Sequence, residues 1–329
     1  MEKRPTTLEA IKAPIADEMA AYEGFLREAL HSESRYFDDI LKYIFENRGK
    51  GVRPTLVMLW AKLLSGGKAF GKRVLLSASL IELIHTASLV HDDVIDRADV
   101  RHGKASINEQ FGRRNAILTG DFILSRIFEL GMESLEFDIL TYVSHSIKWL
   151  CEGEVIQDEQ TKTLGMTHEK YYDIIDKKTA SLLAIGCGVG AVAVKAPAKE
   201  VDAAYEFGRN IGMAFQIKDD ILDYAATDQT GKPMCADLRE HKITLPLLEA
   251  LEDMSPEEQS TIRALVGKAD DEAIAQIREQ IIAHKGIERA EAIMAEYIAK
   301  AKEALAHHDE SPYRTSLEMM CDFLAERKH

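Results

Sequence analysis

The sequence predicts an all-α fold, and three observations lead there. Nearly every long segment repeats its apolar residues with helical rather than alternating period. Convincing period-2 runs are absent. Helix breakers are sparse, with 8 Pro and 20 Gly in 329 residues. The helices are expected at about 7–31, 34–47, 55–66, 70–98, 115–132, 135–162, 168–194, 198–225, 237–252, 255–266, 270–284, 286–307 and 311–327. Breaks fall where turn chemistry puts them: Gly49-Lys50-Gly51 with Pro54, Gly66-Gly67, Gly103, Gly165, Pro197, Gly231 to Pro233, and Ser255-Pro256.

Hydrophobic residues make up 46% and charged residues 29%, an ordinary globular mix that excludes disordered and collagen-like classes. The length allows one large domain or two ordinary ones. No short-period repeat and no Pro-, Gly- or Ser-rich linker is visible, so a single helical domain over residues 1–329 is expected. The net charge of -14 disfavours nucleic acid as a partner. An anionic substrate would therefore need local cations or metals.

Cys151, Cys187, Cys235 and Cys321 lie far apart without a CxxC pair, which argues against both a zinc site and a disulfide framework. Met1 to Ala13 lacks an apolar stretch of signal-peptide type, and Leu182 to Val194 is too short and glycine-interrupted for a membrane span. A cytoplasmic protein with no transmembrane segment is expected.

Two predicted helices are nearly uncharged and then end in carboxylates. Val74 to Val90 runs into His91-Asp92-Asp93, and Phe207 to Ile217 runs into Lys218-Asp219-Asp220. A helix apolar on nearly all sides belongs inside a bundle. Asp92, Asp93 and Asp96 sit at i, i+1 and i+4, so the three carboxylates can converge on one small volume. Asp219, Asp220 and Asp223 repeat the spacing. Each cluster closes a helix, where the dipole already disfavours negative charge. Oxygen ligands without His or Cys at ligand spacing favour Mg²⁺, which also coordinates substrate phosphates.

Cations complement the acids. Lys50 and Arg53 lie in a glycine-containing loop, Arg48 to Pro54, that suits a diphosphate pocket without metal. His85 is two turns before Asp92 on the same side. Arg101 and His102 follow the first cluster at a turn closed by Gly103, Lys178 sits mid-helix beside a surface Lys177, and Lys232 and Lys242 flank the segment after the second cluster. Two acidic clusters and two cationic groups imply two anionic substrates.

These residues resemble the motifs of the trans-isoprenyl diphosphate synthases, the polyprenyl synthetase family. Gly49-Lys50-x-x-Arg53-Pro54 resembles the family's GKxxRP loop, and His85 with Asp92, Asp93 and Asp96 resembles its first aspartate-rich motif. Glu152-Gly153-Glu154, Lys178-Thr179, Gln216-x-x-Asp219-Asp220-x-x-Asp223, Gly231-Lys232-Pro233 and Asp237 to Pro246 follow in order. The resemblance covers about residues 45–250.

It implies an isoprenoid synthase type I fold, a helical bundle around a central cavity, and head-to-tail prenyl transfer from an allylic diphosphate to isopentenyl diphosphate. By that resemblance the six aspartates hold Mg²⁺, with Asp92, Asp93, Asp96, Lys178, Asp219 and Lys232 catalytic. Lys178, Thr179, Gln216, Lys232 and Lys242 would contact the allylic diphosphate, and Lys50, Arg53, His85, Arg101 and His102 the isopentenyl diphosphate. A homodimer is implied as well. Two details depart from the family. His102 replaces the second arginine of the usual pair, and Met234-Cys235-Ala236 and His241 stand where glycine or asparagine is common.

Ser88, Ala87, Ile84 and Ile81 precede Asp92 by four, five, eight and eleven residues, and would line a product tunnel below the first motif. In family members that stop at C15, bulky aromatics form a floor near the first two positions. Here both are small, so a long product of roughly C30 to C50 is expected, at about 5.4 Å of depth per helical turn. The alternatives are a short-chain farnesyl or geranylgeranyl diphosphate synthase, or one subunit of a heteromeric synthase. Noncatalytic subunits typically lose motif aspartates, and all six are present. Residues 255–329 carry no legible motif and are expected to complete the bundle.

Overall fold

The computed structural model describes residues 7–68, 71–101, 103–225 and 235–327. The helices in chain order are α1 (Leu8–Lys12), α2 (Ala16–Ala29), α3 (Arg35–Glu46), α4 (Val52–Ser65), α5 (Lys72–Ile95), α6 (Ile107–Phe111), α7 (Arg113–Glu133) and α8 (Phe137–Thr163). They continue as α9 (His168–Ile175), α10 (Ser181–Ala193), α11 (Ala198–Ala225), α12 (Ala236–Arg239) and α13 (Leu245–Leu251). The last four are α14 (Pro256–Lys268), α15 (Asp271–Ala283), α16 (Gly286–Ala304) and α17 (Pro312–Glu326). Among the described residues the only strands form a two-residue hairpin, Val100–Arg101 paired antiparallel with Lys104–Ala105. The all-α expectation holds.

Differences from the expected helices have local causes. Pro14 sits in a 3-10 turn, Ala13–Ile15, that separates α1 from α2. The expected helix at 237–252 is two, because α13 begins at Leu245 with Pro246 in its first turn and Thr244 extended before it. Helix α6 was not expected; Ser106 caps it by accepting from the Glu109 N–H. Farther on, a capping box of Ser255 and Glu258 opens α14, and Asp270 caps α15.

The chain divides into two compact units. One comprises Met1–Ile147, Leu182–Glu206 and His307–Met319; the other comprises Lys148–Ser181, Phe207–Ala306 and Met320–His329. A single domain over 1–329 remains a proposal beside that division. In the first unit α5 is the core helix, with Leu80, Ile81, Leu83, Ile84 and Ala87 at most 1% exposed. Each of these leucine and isoleucine side chains contributes roughly 1.5–3 kcal/mol on burial. By length and composition α5 could cross a membrane, but 72% of its apolar stretch is buried inside the fold, as for a core helix. The glycine-rich α10 is core too, with Cys187, Val189 and Ala191 fully buried.

The second unit carries the less regular backbone. The expected continuous helix at 168–194 is interrupted by a π-helical turn, Asp176–Ala180, between α9 and α10. Such turns add one residue to the helical repeat and are frequent at functional sites. Two glycines accommodate it. A Cβ on Gly153 of α8 would come within 2.8 Å of Lys178 Cγ, and one on Gly212 of α11 within 2.5 Å of the Ala180 Cα. Both helices press on the turn where only glycine fits.

Candidate active site

The first aspartate cluster ends α5. Asp92 and Asp93 lie in its last turn, and the Asp96 N–H continues the pattern by donating to the Asp92 carbonyl at 2.8 Å. Asp93 is buried, and its Oδ1 accepts from Arg101 Nε at 2.9 Å and from Arg101 Nη2. The short hairpin, turning at Gly103 with φ +77°, presents Arg101 to that carboxylate. His85, Asp93 and Arg101 line a cavity of about 70 Å³ together with Tyr43, Arg48 and Glu82. Three of the predicted site residues are thereby brought together.

Lys50 and Arg53 are placed differently. Lys50 is exposed, and its carbonyl accepts from Lys12 Nζ at 2.6 Å. Burial pushes the Arg53 guanidinium down to about 10, with Glu82 opposing the shift. Arg53 Nε has no hydrogen-bond partner among the described residues. A buried cationic donor left unpaired is costly, and an anionic ligand would satisfy it. Burial raises the Glu82 carboxyl above its usual range, against Arg53, Arg48 and Lys12, which lower it. Sequence reasoning missed Glu82; the signal was one carboxylate inside an otherwise apolar helix.

The second cluster ends α11 and belongs to the other unit. Lys178, Thr179, Gln216, Asp220 and Lys242 line one cavity of about 180 Å³, with Gln157, Tyr171 and Asp237. Asp220 accepts from Tyr171 Oη at 2.6 Å and from Gln216 Nε2 at 2.9 Å. Burial drives its carboxyl far above the usual range, and Asp237 adds to this. Lys178 pairs with Glu154 and donates to Gln157 Oε1 at 3.1 Å. Asp223 accepts backbone N–H groups from Ala236 at 2.9 Å and Asp237 at 3.1 Å, so it anchors the start of α12. Tyr171 and Gln157 were not expected, and nothing in their local sequence marks them.

Asp219 holds a partner from the end of the chain. Arg327 pairs with it, and the guanidinium stacks 4.3 Å from the Phe215 ring centre. The sequence offered no signal for Arg327, which lies outside every motif. His102 and Lys232 lie outside the described residues.

Two of the departures from the family pattern share a geometry, while Met234 lies outside the described residues. Cys235 and His241 both adopt left-handed backbone, with φ of 54° and 60°, a region costing a residue with a side chain roughly 1–2 kcal/mol. His241 recovers some of that by donating from Nδ1 to the Val266 carbonyl at 2.8 Å.

Chemically, the carboxylates are hard oxygen donors crowded at helix ends, and burial penalises the negative charge of Asp220. That donor set fits a hard divalent cation. A model of polyprenyl synthetases matches residues 34–283. The chain belongs to the polyprenyl synthetase family. It is a prenyltransferase of the isoprenoid synthase fold, joining isoprenyl diphosphates head to tail. It is 33% identical over 312 residues to octaprenyl diphosphate synthase of Escherichia coli, covering 94% of this chain and 96% of that one. It is 35% identical over 286 residues to a short chain isoprenyl diphosphate synthase of Methanothermobacter thermautotrophicus, covering 85% and 87%. The fold matches the crystal structure of a polyprenyl synthase from Caulobacter crescentus complexed with calcium and isoprenyl diphosphate, with TM-score 0.89, 30% identity, and 99% and 100% of the two chains covered.

Proposed function

We propose that this polyprenyl synthetase makes a long all-trans polyprenyl diphosphate, roughly C30 to C50, from farnesyl or geranylgeranyl diphosphate and isopentenyl diphosphate. The observation that carries the product length is Ala87, a 1% exposed methyl-sized residue five positions before Asp92 on α5. With Ser88 beside it and Ile84 and Ile81 farther back, no aromatic ring stands at the first positions below the motif. The octaprenyl relative supports this reading; the short-chain relative favours the alternative, a farnesyl or geranylgeranyl diphosphate synthase.

The cofactor in this reading is Mg²⁺, which Asp92, Asp93 and Asp96 and Asp219, Asp220 and Asp223 would hold, Asp223 also anchoring the start of α12. When bound, it neutralises diphosphate oxygens and stabilises the leaving group as charge develops. Lys178 and Lys242 add positive charge for the same diphosphate, and Thr179 and Gln216 orient it. His102 and Lys232 belong to the proposal by their motifs alone. Lys50, Arg53, His85 and Arg101 hold isopentenyl diphosphate.

The allylic C–O bond breaks with its electron pair leaving on diphosphate. The isopentenyl double bond then attacks the freed carbon, and a proton passes to the departing diphosphate. Apolar walls keep water from the cation. Incorporation of labelled isopentenyl diphosphate tests the assignment: it should require Mg²⁺ and fall steeply in Asp92→Asn and Asp219→Asn, whereas incorporation unchanged in both would refute it.

A cytoplasmic homodimer completes the reading. Ile117, Leu118, Phe128 and Met132 of α7 are 41% to 54% exposed. At 100° per residue they fall within an arc of about 100° on one helix face. A second copy covering that face would remove a sizeable apolar patch from water.

A further inference from the structure

Away from the aspartate clusters, three metal-competent side chains meet in the first unit. Glu200 stands in the first turn of α11, and His307 and His308 lie on the turn between α16 and α17. His307 Nε2 is 3.1 Å from Glu200 Oε2, and His308 Nε2 is 3.5 Å from the same oxygen. Donor atoms of all three residues lie within 4.8 Å of one another. A tetrahedral ion with bonds near 2.05 Å separates its ligand atoms by about 3.3 Å, so the spacings of 3.1 and 3.5 Å bracket that geometry.

Ordinary hydrogen bonding leaves this cluster incomplete. Glu200 Oε2 accepts a hydrogen bond from His307 Nε2, yet His308 Nε2 is buried and has no hydrogen-bond partner among the described residues. Doubly protonating the pair would set two cations side by side, since the rings are 4.0 Å apart at 37°. Burial and His307 already hold the His308 imidazole below its ordinary pKa, although Glu200 and Asp309 oppose this. A neutral imidazole presents the lone pair that a metal needs.

The surroundings fix the ring. The edge of Trp60 packs on His308 with centroids 5.7 Å apart, and the His308 carbonyl accepts from Arg314, whose Nε is held by Glu318 at 2.9 Å. Supports of this kind orient metal ligands.

We infer that Glu200, His307 and His308 bind a divalent transition metal of zinc type, clamping the turn before α17 to the start of α11. Two imidazole nitrogens and one carboxylate match zinc, cobalt or nickel and disfavour magnesium. The fourth position is left to water, as in sites with three protein ligands.

The test uses the full chain, stripped with chelator, dialysed, and titrated with Co²⁺ in excess Mg²⁺. The expected result is one tight Co²⁺ per chain with a visible tetrahedral band and quenching of Trp60 emission. His308→Gln and Glu200→Gln should weaken this binding by at least about tenfold, whereas Asp219→Asn leaves it unchanged. A zinc-induced rise in the thermal midpoint of the unmutated chain gives a second readout that needs no variant. No tetrahedral band, or a band equally strong in His308→Gln and Glu200→Gln, overturns the assignment.

Discussion

Thr179 donates its hydroxyl to Gln216 Oε1 at 2.7 Å, and Gln216 Nε2 donates in turn to Asp220 at 2.9 Å. The π-helical turn and the second aspartate cluster are thus linked by one amide. Replacing Gln216 with Leu removes both bonds and leaves the Asp220 carboxylate with Tyr171 alone. The expected outcome is a fall of about tenfold to a hundredfold in kcat/KM for the allylic substrate, with a smaller effect on isopentenyl diphosphate. Steady-state kinetics with each substrate varied in turn checks it; equal losses for both would show a general structural role.

Gly212→Ala places a methyl group 2.5 Å from the Ala180 Cα, a backbone atom that cannot rotate away. It should cost about 1–3 kcal/mol of stability and lower the thermal midpoint. Gly24→Ala on α2 meets nothing within 4 Å and should instead stabilise by roughly 0.5–1 kcal/mol. Denaturant unfolding of the two variants side by side measures the contrast.

Arg327 competes with any cation for Asp219. Removing it in Arg327→Gln should lower the Mg²⁺ concentration at half-maximal activity by a few-fold, a modest effect because Asp219 is 40% exposed and solvent screens the pair. Activity followed across a magnesium titration decides; a higher requirement would instead make Arg327 a contact to the bound diphosphate.

His308 gives stability a pH dependence of defined sign. Its folded pKa lies below its ordinary value, chiefly through burial, then through His307 and Arg314, with Glu200 and Asp309 opposing. Between the folded value and about 6.5 the unfolded chain binds more protons, so this contribution is full above about pH 6.5 and is lost as pH falls. Thermal midpoints measured in chelator from pH 8 down to pH 5 should fall less for His308→Gln than for the unmutated chain.

Much of the fold was legible because helix formation here is written in periodicity and punctuation. The helix expected at 198–225 is α11 to the residue. What escaped was irregular or distant. The π-helical turn at Asp176–Ala180 leaves the apolar pattern of its flanking helices intact, so a continuous helix reads the same. Arg327 reaches Asp219 only through tertiary folding, and no local spacing encodes that. Lys178, Thr179 and Gln216 were nameable from their motifs, whereas Tyr171, which shares their cavity and bonds Asp220, carries no local mark. Glu82 was visible as an oddity in α5, but its charge partners Arg53, Arg48 and Lys12 come from other segments.

The product itself tests the reading most directly. Purified chain is incubated with farnesyl diphosphate, excess isopentenyl diphosphate and Mg²⁺, and the prenyl chains are weighed by mass spectrometry alongside those of Ala87→Phe. The unmutated chain should release polyprenyl diphosphates of roughly C30 to C50, and the phenylalanine should shorten them, because it fills the first step below the motif. Products ending at C15 or C20 in the unmutated chain, or one length unchanged by the substitution, would contradict the account.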